Sequence, residues 1–276
     1  MGLFGKSKEK QIQECWQLAQ NCIQKGDNRD AIAYLNKALE INVNVELSWA
    51  KLGDLYYKLG EYDNCLHCSN QVVKLNPKNY NAWFMIGLIS WDKEDYNTAK
   101  VAYTRVTELA PATVDAWDKL GLMYYNENDL NSSFVCYNKV LELNNQHPVA
   151  WLYLGYINKD NEDYQAAEEC FLKTIQIQPD NFYAHCSLGE LYEIMDLPDK
   201  SEEYFNEAKS IDPKKYEEHI GIDDEDMEFE NLNLEESSQQ KVNPMEKIKE
   251  AKELFDIGAI TQEEFDEIKN KYLKQV

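Results

Sequence analysis

Basic residues are scarce in this 276-residue chain: 28 lysines and arginines stand against 50 aspartates and glutamates, a formal charge of −22 at pH 7. Such a surface repels phosphate backbones and anionic lipid headgroups, so DNA, RNA and anionic membranes are not expected as partners. No apolar run reaches the length needed to span a bilayer or to act as a secretory signal, and the seven cysteines show no disulfide-like clustering. The expectation is a cytoplasmic protein without membrane insertion. Histidine is limited to His67, His147, His185 and His219, with no H-E-x-x-H or triad-like spacing, and no G-x-S-x-G occurs. The string Gly5-Lys6-Ser7 lacks the upstream glycine and the preceding strand of a P-loop. Gly2 lacks the serine or threonine that a myristoylation motif wants where Lys6 stands. No catalytic residue and no cofactor is therefore expected.

What the chain does have is a ruler. Trp49, Trp83, Trp117 and Trp151 are each 34 residues apart, and Leu52, Ile86, Leu120 and Leu154 follow three residues later, with Gly53, Gly87, Gly121 and Gly155 immediately after. Two weaker copies flank them: His185, Leu188 and Gly189 on one side, and Cys15, Leu18 and Ala19 on the other. A small side chain recurs at Ala31, Cys65, Ala99, Ser133, Ala167 and Ser201, four residues before Leu35, Ser69, Tyr103, Tyr137, Phe171 and Phe205. Pro77, Pro111, Pro179 and Pro213 close units. A fixed period of a few tens of residues marks stacked supersecondary units. The six units run 12–45, 46–79, 80–113, 114–147, 148–181 and 182–215.

Within a unit the apolar positions fall at helical spacing. Trp83, Ile86, Gly87 and Ser90 share one face, and Tyr96, Ala99, Tyr103 and Val106 share the next. Each unit is therefore expected to be two antiparallel helices, brought close by the small residues and filled by the aromatic ones. One such hairpin cannot bury both apolar faces alone, so neighbours must stack, and the degenerate first and sixth copies are expected as caps. Gly26 and Gly60, with the tripeptides KED, NEN and NED elsewhere, are read as the turns within units.

The pattern W-x2-LG-x2-Y, A-x3-F, P resembles the tetratricopeptide repeat (TPR) over about three quarters of the chain. The resemblance implies an all-α fold, a right-handed α-solenoid of six helix-turn-helix units, with a concave groove lined by fixed positions of each first helix. Carried onto this sequence, the groove is expected at Tyr57, Lys58, Asn81, Phe84, Leu88, Trp91, Leu122, Tyr125, Asn126, Leu152, Tyr156 and Lys159, with Phe84, Leu88, Leu122 and Leu152 clustered on an exposed face. Some family members clamp acidic chaperone C-termini with converging Lys, Asn and Arg donors. This chain departs from that pattern, offering only Lys58 and Lys159 among many carboxylates, which points to an apolar or aromatic-anchored peptide.

Flanking the repeats, residues 1–11 form a basic tail and 216–243 an acidic linker with ten acidic residues against Lys241. The linker is expected to stay solvated and disordered. A calcium loop counted from Asp224 would need glycine where Phe229 stands. Residues 244–276 are expected to form a helical hairpin, with Gly258 ending one helix and Thr261 and Glu264 making a capping box for the next. The hairpin resembles the short C-terminal domain (SHOCT) of prokaryotic proteins through Leu254, Gly258, Ile260, Thr261, Glu264 and Phe265. At about 33 residues it is too small for its own core, so Ile248, Leu254, Phe255, Ile260, Phe265, Ile268 and Leu273 are expected to dock it or to form a homo-oligomer.

Cys65, His67 and Cys68 raise a metal site. Cys68, Cys136 and Cys170, however, hold one slot of three different units, with Ala102 in a fourth, so they would lie apart; no metal is expected. The expected function is a non-catalytic protein–protein scaffold that binds a partner's peptide in the groove, with the C-terminal hairpin oligomerising or docking. The alternatives are a regulatory subunit of an enzyme, or a groove occupied by the acidic-hydrophobic linker until a partner displaces it.

Overall fold

The computed structural model describes residues 7–220 together with Lys252, Gln262, Phe265, Asp266 and Lys269. Thirteen α-helices and no strand occur among the described residues. They pair as α1 (Lys8–Lys25) with α2 (Asn28–Ile41), α3 (Glu46–Lys58) with α4 (Tyr62–Leu75), and α5 (Tyr80–Asp92) with α6 (Tyr96–Leu109). Next come α7 (Val114–Asn126), α8 (Leu130–Leu143), α9 (Pro148–Asp160), α10 (Tyr164–Ile177), α11 (Phe182–Ile194) and α12 (Pro198–Ile211), and α13 (Pro213–Ile220) follows. Each expected unit thus holds two helices. The chain divides into two compact units, Met1–Ala116 with Val242–Val276, and Trp117–Lys241. Two expected boundaries move. Residues 8–11 of the tail belong to α1, and residues 216–220 of the linker belong to α13.

The recurring residues have separate jobs. In the first unit, Trp83, Ile86, Ala99, Tyr103 and Val106 are buried between α5 and α6, and Ala19, Ala31, Leu35, Leu52, Leu55 and Cys68 build a core among α1 to α4. Fully burying one aliphatic or aromatic side chain of this kind contributes about 1.5–3 kcal/mol. The small slot is closed to solvent throughout, from Ala31 to Ser201, and Ser133 Oγ donates to the Gly121 carbonyl at 2.8 Å. A larger side chain at this slot would force the paired helices apart.

The tryptophans pin the joints between repeats. Trp49 Nε1 donates to the Val43 carbonyl at 2.8 Å, Trp83 Nε1 to Pro77 at 2.9 Å, and Trp151 Nε1 to Asn145 at 3.0 Å. The acceptor is always six residues back, in the loop that enters the helix. His185 takes both the slot and the bond, with Nε2 2.9 Å from the Pro179 carbonyl, while its Nδ1 lies 2.8 Å from Glu207. This explains why histidine replaces tryptophan without loss of the joint.

The turn inside each unit is also periodic. Gly26, Gly60, Glu94, Asn128, Glu162 and Asp196 all have positive φ, from 57° to 85°. Four of the six are not glycine, although the left-handed conformation costs an L-residue roughly 1–2 kcal/mol. Side chains help on the far side of the turn: Asp95, Asp129 and Asp163 cap the second helix by accepting from Thr98, Ser132 and Ala166 amides at 3.4, 3.1 and 3.2 Å.

Candidate functional site

The expected groove positions lie on α3 and α5 in the first compact unit and on α7 and α9 in the second. Four slots repeat along these helices: Ala50, Phe84, Asp118 and Leu152; Asp54, Leu88, Leu122 and Tyr156; Tyr57, Trp91, Tyr125 and Lys159; Lys58, Asp92, Asn126 and Asp160.

In the first unit these positions remain open to solvent. Tyr57, Lys58 and Asn81 are exposed, while Phe84, Leu88 and Trp91 are half-buried. Their rings are held by aromatic neighbours rather than sunk into the core. Phe84 meets Tyr103 edge to face at 5.9 Å, Trp91 meets Tyr96 at 5.3 Å, and Tyr57 tilts against Tyr62 at 5.8 Å. Pairs of this kind add about 0.5–1.5 kcal/mol beyond their buried area and fix the rings in place.

In the second unit the same slots are more closed. Leu122 and Tyr125 are half-buried and Asn126 is exposed, but Leu152 is 2% exposed and Tyr156 6%. The expectation that Leu152 shares an exposed face with Phe84, Leu88 and Leu122 is therefore wrong, and Tyr156 is an interior residue. The reason is that six consecutive residues of α9, Leu152 to Ile157, are buried, so the helix has no solvent-facing stripe over that turn and a half. Tyr156 sits edge-on to Phe171 at 5.6 Å and to Tyr153 at 5.6 Å.

Lys159 is not an available cation. Its Nζ pairs with Glu190 at 2.7 Å, and His219 Nε2 reaches the same carboxylate at 3.1 Å. Burial alone would raise the Glu190 carboxyl, but His219's hydrogen bond and the Lys159 ammonium together hold it below its ordinary value. Beside this trio, Tyr125 donates its hydroxyl to Asp160 at 3.1 Å and packs on Tyr153 at 5.3 Å, while Tyr137 stacks flat on Tyr153 at 5.0 Å. Burial, reinforced by Asp118, pushes the Tyr137 and Tyr153 phenols upward. None of His219, Tyr153 or Tyr137 is among the expected groove residues, whereas Glu190 holds a groove position of the sixth unit. The signal was present: Lys159 and Glu190 are 31 residues apart and Tyr125 and Asp160 are 35 apart, both near one repeat length.

The cysteine chemistry is that of buried thiols. All seven are free, and Cys65, Cys68, Cys136, Cys170 and Cys186 are buried. Desolvation pushes Cys65 and Cys170 up to about 11, and Cys68 and Cys186 up to about 12. His67 packs edge-on against Trp49 at 5.6 Å. Among the described residues no group of three or more His, Cys, Asp or Glu is placed to hold a metal, and no helix is long and apolar enough to cross a membrane.

Of the expected hairpin residues, Ile248, Leu254, Phe255, Ile260, Ile268 and Leu273 lie outside the described residues, as does the rest of the SHOCT-like pattern apart from Phe265. Phe265 is 8% exposed, with Lys252 and Lys269 each 5.9 Å from its ring centre.

Among curated proteins none matches the chain significantly. Solved structures do. The chain resembles YrrB, described as a TPR protein with an unusual peptide-binding site, at 19% identity and TM-score 0.60 over 68% of this chain and 97% of that one. It resembles the MamA protein at 22% identity and TM-score 0.55 over 69% and 98%, and pilF of Pseudomonas aeruginosa at 19% and 0.57 over 78% and 99%. At these identities the likeness establishes the fold. The tetratricopeptide repeat model itself matches residues 15–43, 47–79, 80–113, 114–147, 149–181 and 182–215. With the paired helices, the joint-pinning tryptophans and these six consecutive matches, the chain belongs to the tetratricopeptide repeat family.

Proposed function

We propose that the protein is a non-catalytic adaptor that binds a peptide segment of a partner protein along the first-helix face of its repeats. Tetratricopeptide repeat proteins mediate protein–protein interactions, and the fold serves as a scaffold. The observation that carries the reading is the row of partly open aromatic and aliphatic side chains in the first unit: Tyr57, Phe84, Leu88 and Trp91 occupy three of the repeated slots, and Phe84 and Leu88 stay partly accessible where their slot-mates Leu152 and Tyr156 do not. Rigid, partly desolvated aromatics are what an interface uses as anchors. Asn81 beside them supplies amide donors and an acceptor for a peptide backbone. With Lys159 paired to Glu190, a carboxylate clamp is not the mode of capture.

The test is a pull-down from host lysate with the full chain against a Phe84→Ala, Leu88→Ala, Leu122→Ala variant whose helicity matches by circular dichroism. A prey lost only from the variant supports the reading; equal recovery removes it.

A second reading concerns regulation. Phe265 is buried although the other described residues of its segment are exposed, and Val242–Val276 clusters with Met1–Ala116. On this basis we propose that 244–276 acts as a docking module toward its own chain, homo-oligomerisation being the other outcome of the test. Sedimentation of the full chain as a monomer, with faster proteolysis of the tail in a Phe265→Ala variant, is the expected result.

A further inference from the structure

The last repeat leaves open a surface that the repeat before it has covered. The fifth repeat, α9 and α10, receives α11: Glu190 takes Lys159 at 2.7 Å, Tyr192 donates its hydroxyl to Glu168, and Leu188 and Leu191 of the same helix are buried. Phe171 is 0% exposed there. One repeat length on, the slots of Lys159, Glu168 and Phe171 hold Glu193, Glu202 and Phe205, and the two carboxylates are exposed and the ring half-buried. Among the described residues, α13 reaches one end of this surface, where Tyr216 meets Phe205 at 6.1 Å and His219 meets Glu190 at 3.1 Å.

Next to Tyr216 lies a cavity of about 600 Å³ whose walls include Glu193, Leu197, Ser201, Glu202 and Phe205. Its lining is not satisfied by the fold. Leu197 is 39% exposed, and Ser201, though 4% exposed, makes no hydrogen bond through its hydroxyl among the described residues, whereas its slot-mate Ser133 bonds the Gly121 carbonyl. Neither Glu193 nor Glu202 has an ion pair among the described residues. The sequence that follows α13 is a poor complement, since the register of Leu188, Leu191 and Tyr192 falls on Ile222, Glu225 and Asp226. Two carboxylates would then meet two more.

We propose that this end of the array binds an amphipathic helix of a partner protein in the cavity beside α13, one that carries leucine, any residue, a basic residue, leucine and tyrosine in succession. The leucines and the tyrosine repeat what α11 brings to the fifth repeat, the tyrosine hydroxyl meeting Glu202 as Tyr192 meets Glu168. The base stands where α11 has Glu190, because Glu193 stands where the fifth repeat has Lys159. One reversed charge thus selects the partner, at a site separate from the first-helix face.

The experiment uses the full chain and a stapled, fluorescein-labelled peptide of residues 182–194 carrying Glu190→Lys, beside the unaltered peptide, read by fluorescence anisotropy at about 0.15 M salt. The lysine peptide should bind roughly tenfold more tightly. In the chain, Glu193→Gln should remove most of that preference and Glu193→Lys should reverse it. Glu169→Lys, the same charge change at an exposed position of α10, should alter it less than about twofold. Equal binding of the two peptides, or binding of neither, overturns the proposal. So does an equal effect of Glu169→Lys, which marks general attraction to an acidic protein. Binding that appears only with Met227→Asp and Phe229→Asp shows the cavity filled by the chain's own 221–234 and overturns it as well. The Phe84→Ala, Leu88→Ala, Leu122→Ala variant should hold the lysine peptide unchanged; loss there places the peptide on the first-helix face, so that this site falls and the adaptor reading stands.

Discussion

Gly53 and Gly155 hold the same slot of the second and fifth repeats, yet different neighbours keep them there. A Cβ on Gly155 would lie 2.3 Å from the Phe171 ring; on Gly53 it would meet Cys68 Cβ at 3.6 Å and Ser69 Oγ at 3.8 Å, ordinary contact. The contrast comes from the residue 16 positions on, aromatic in the fifth repeat and serine in the second. A repeated residue is therefore not a repeated constraint: the later hairpins are closed by an aromatic ring laid on a bare backbone, the second by small side chains that leave slack.

That comparison breaks most visibly at the glycines. Gly155→Ala should destabilise by about 1–3 kcal/mol through overpacking, while Gly53→Ala should be neutral or stabilising by up to about 1 kcal/mol because alanine favours helix. Urea unfolding followed by circular dichroism separates the two, and Phe171→Leu should recover much of the Gly155→Ala loss.

The joints give a smaller effect of one sign at Trp49, Trp83, Trp151 and His185. Trp83→Phe keeps the ring but deletes the donor to Pro77, leaving that carbonyl bond unmade, and should cost about 1 kcal/mol. His185→Phe should cost a similar amount through the bond to Pro179. A silent His185→Phe would show that the histidine is filler rather than a pin.

At the turns the direction reverses. Glu162→Gly should stabilise by about 1 kcal/mol, since φ is 62° there, and Gly60→Ala should destabilise by about the same amount at φ 73°. Asn128→Gly should gain less, because asparagine tolerates the left-handed region better than glutamate.

The smallest effect is acid-dependent and confined to the last repeat. Glu190's carboxyl is lowered in the folded chain, so its contribution is present above its ordinary value near 4.5 and is lost as pH falls through the lowered one. Amide exchange in α13 should accelerate below about pH 4.5 more than in α2, and Glu190→Gln should flatten that difference.

The period, the helix pairs and the interior of α5 and α6 were legible because one residue type recurs at each packing point. The turns were half legible. Gly26, Gly60 and the tripeptides KED, NEN and NED placed five of the six turns, but only glycine advertises the left-handed backbone, which Glu94, Glu162 and Asp196 adopt as well. On the face of the repeats, register could not tell that Phe84, Leu88 and Trp91 are half-buried rather than exposed, or that α9 is buried around Leu152 and Tyr156, since burial depends on neighbours rather than on period. The partner of Lys159 escaped notice because it lies on the next repeat, where a search within one unit does not look.

The indole bonds have a further consequence for how such an array changes length. Each donor reaches an acceptor only six residues upstream, near the end of the preceding repeat, so a repeat finds its joint behind any neighbour that ends on an equivalent carbonyl. Adding or excising a whole 34-residue cassette leaves every joint made. A deletion that falls between an indole and its carbonyl strands one of them, so inheritance and engineering alike are steered toward whole-number steps.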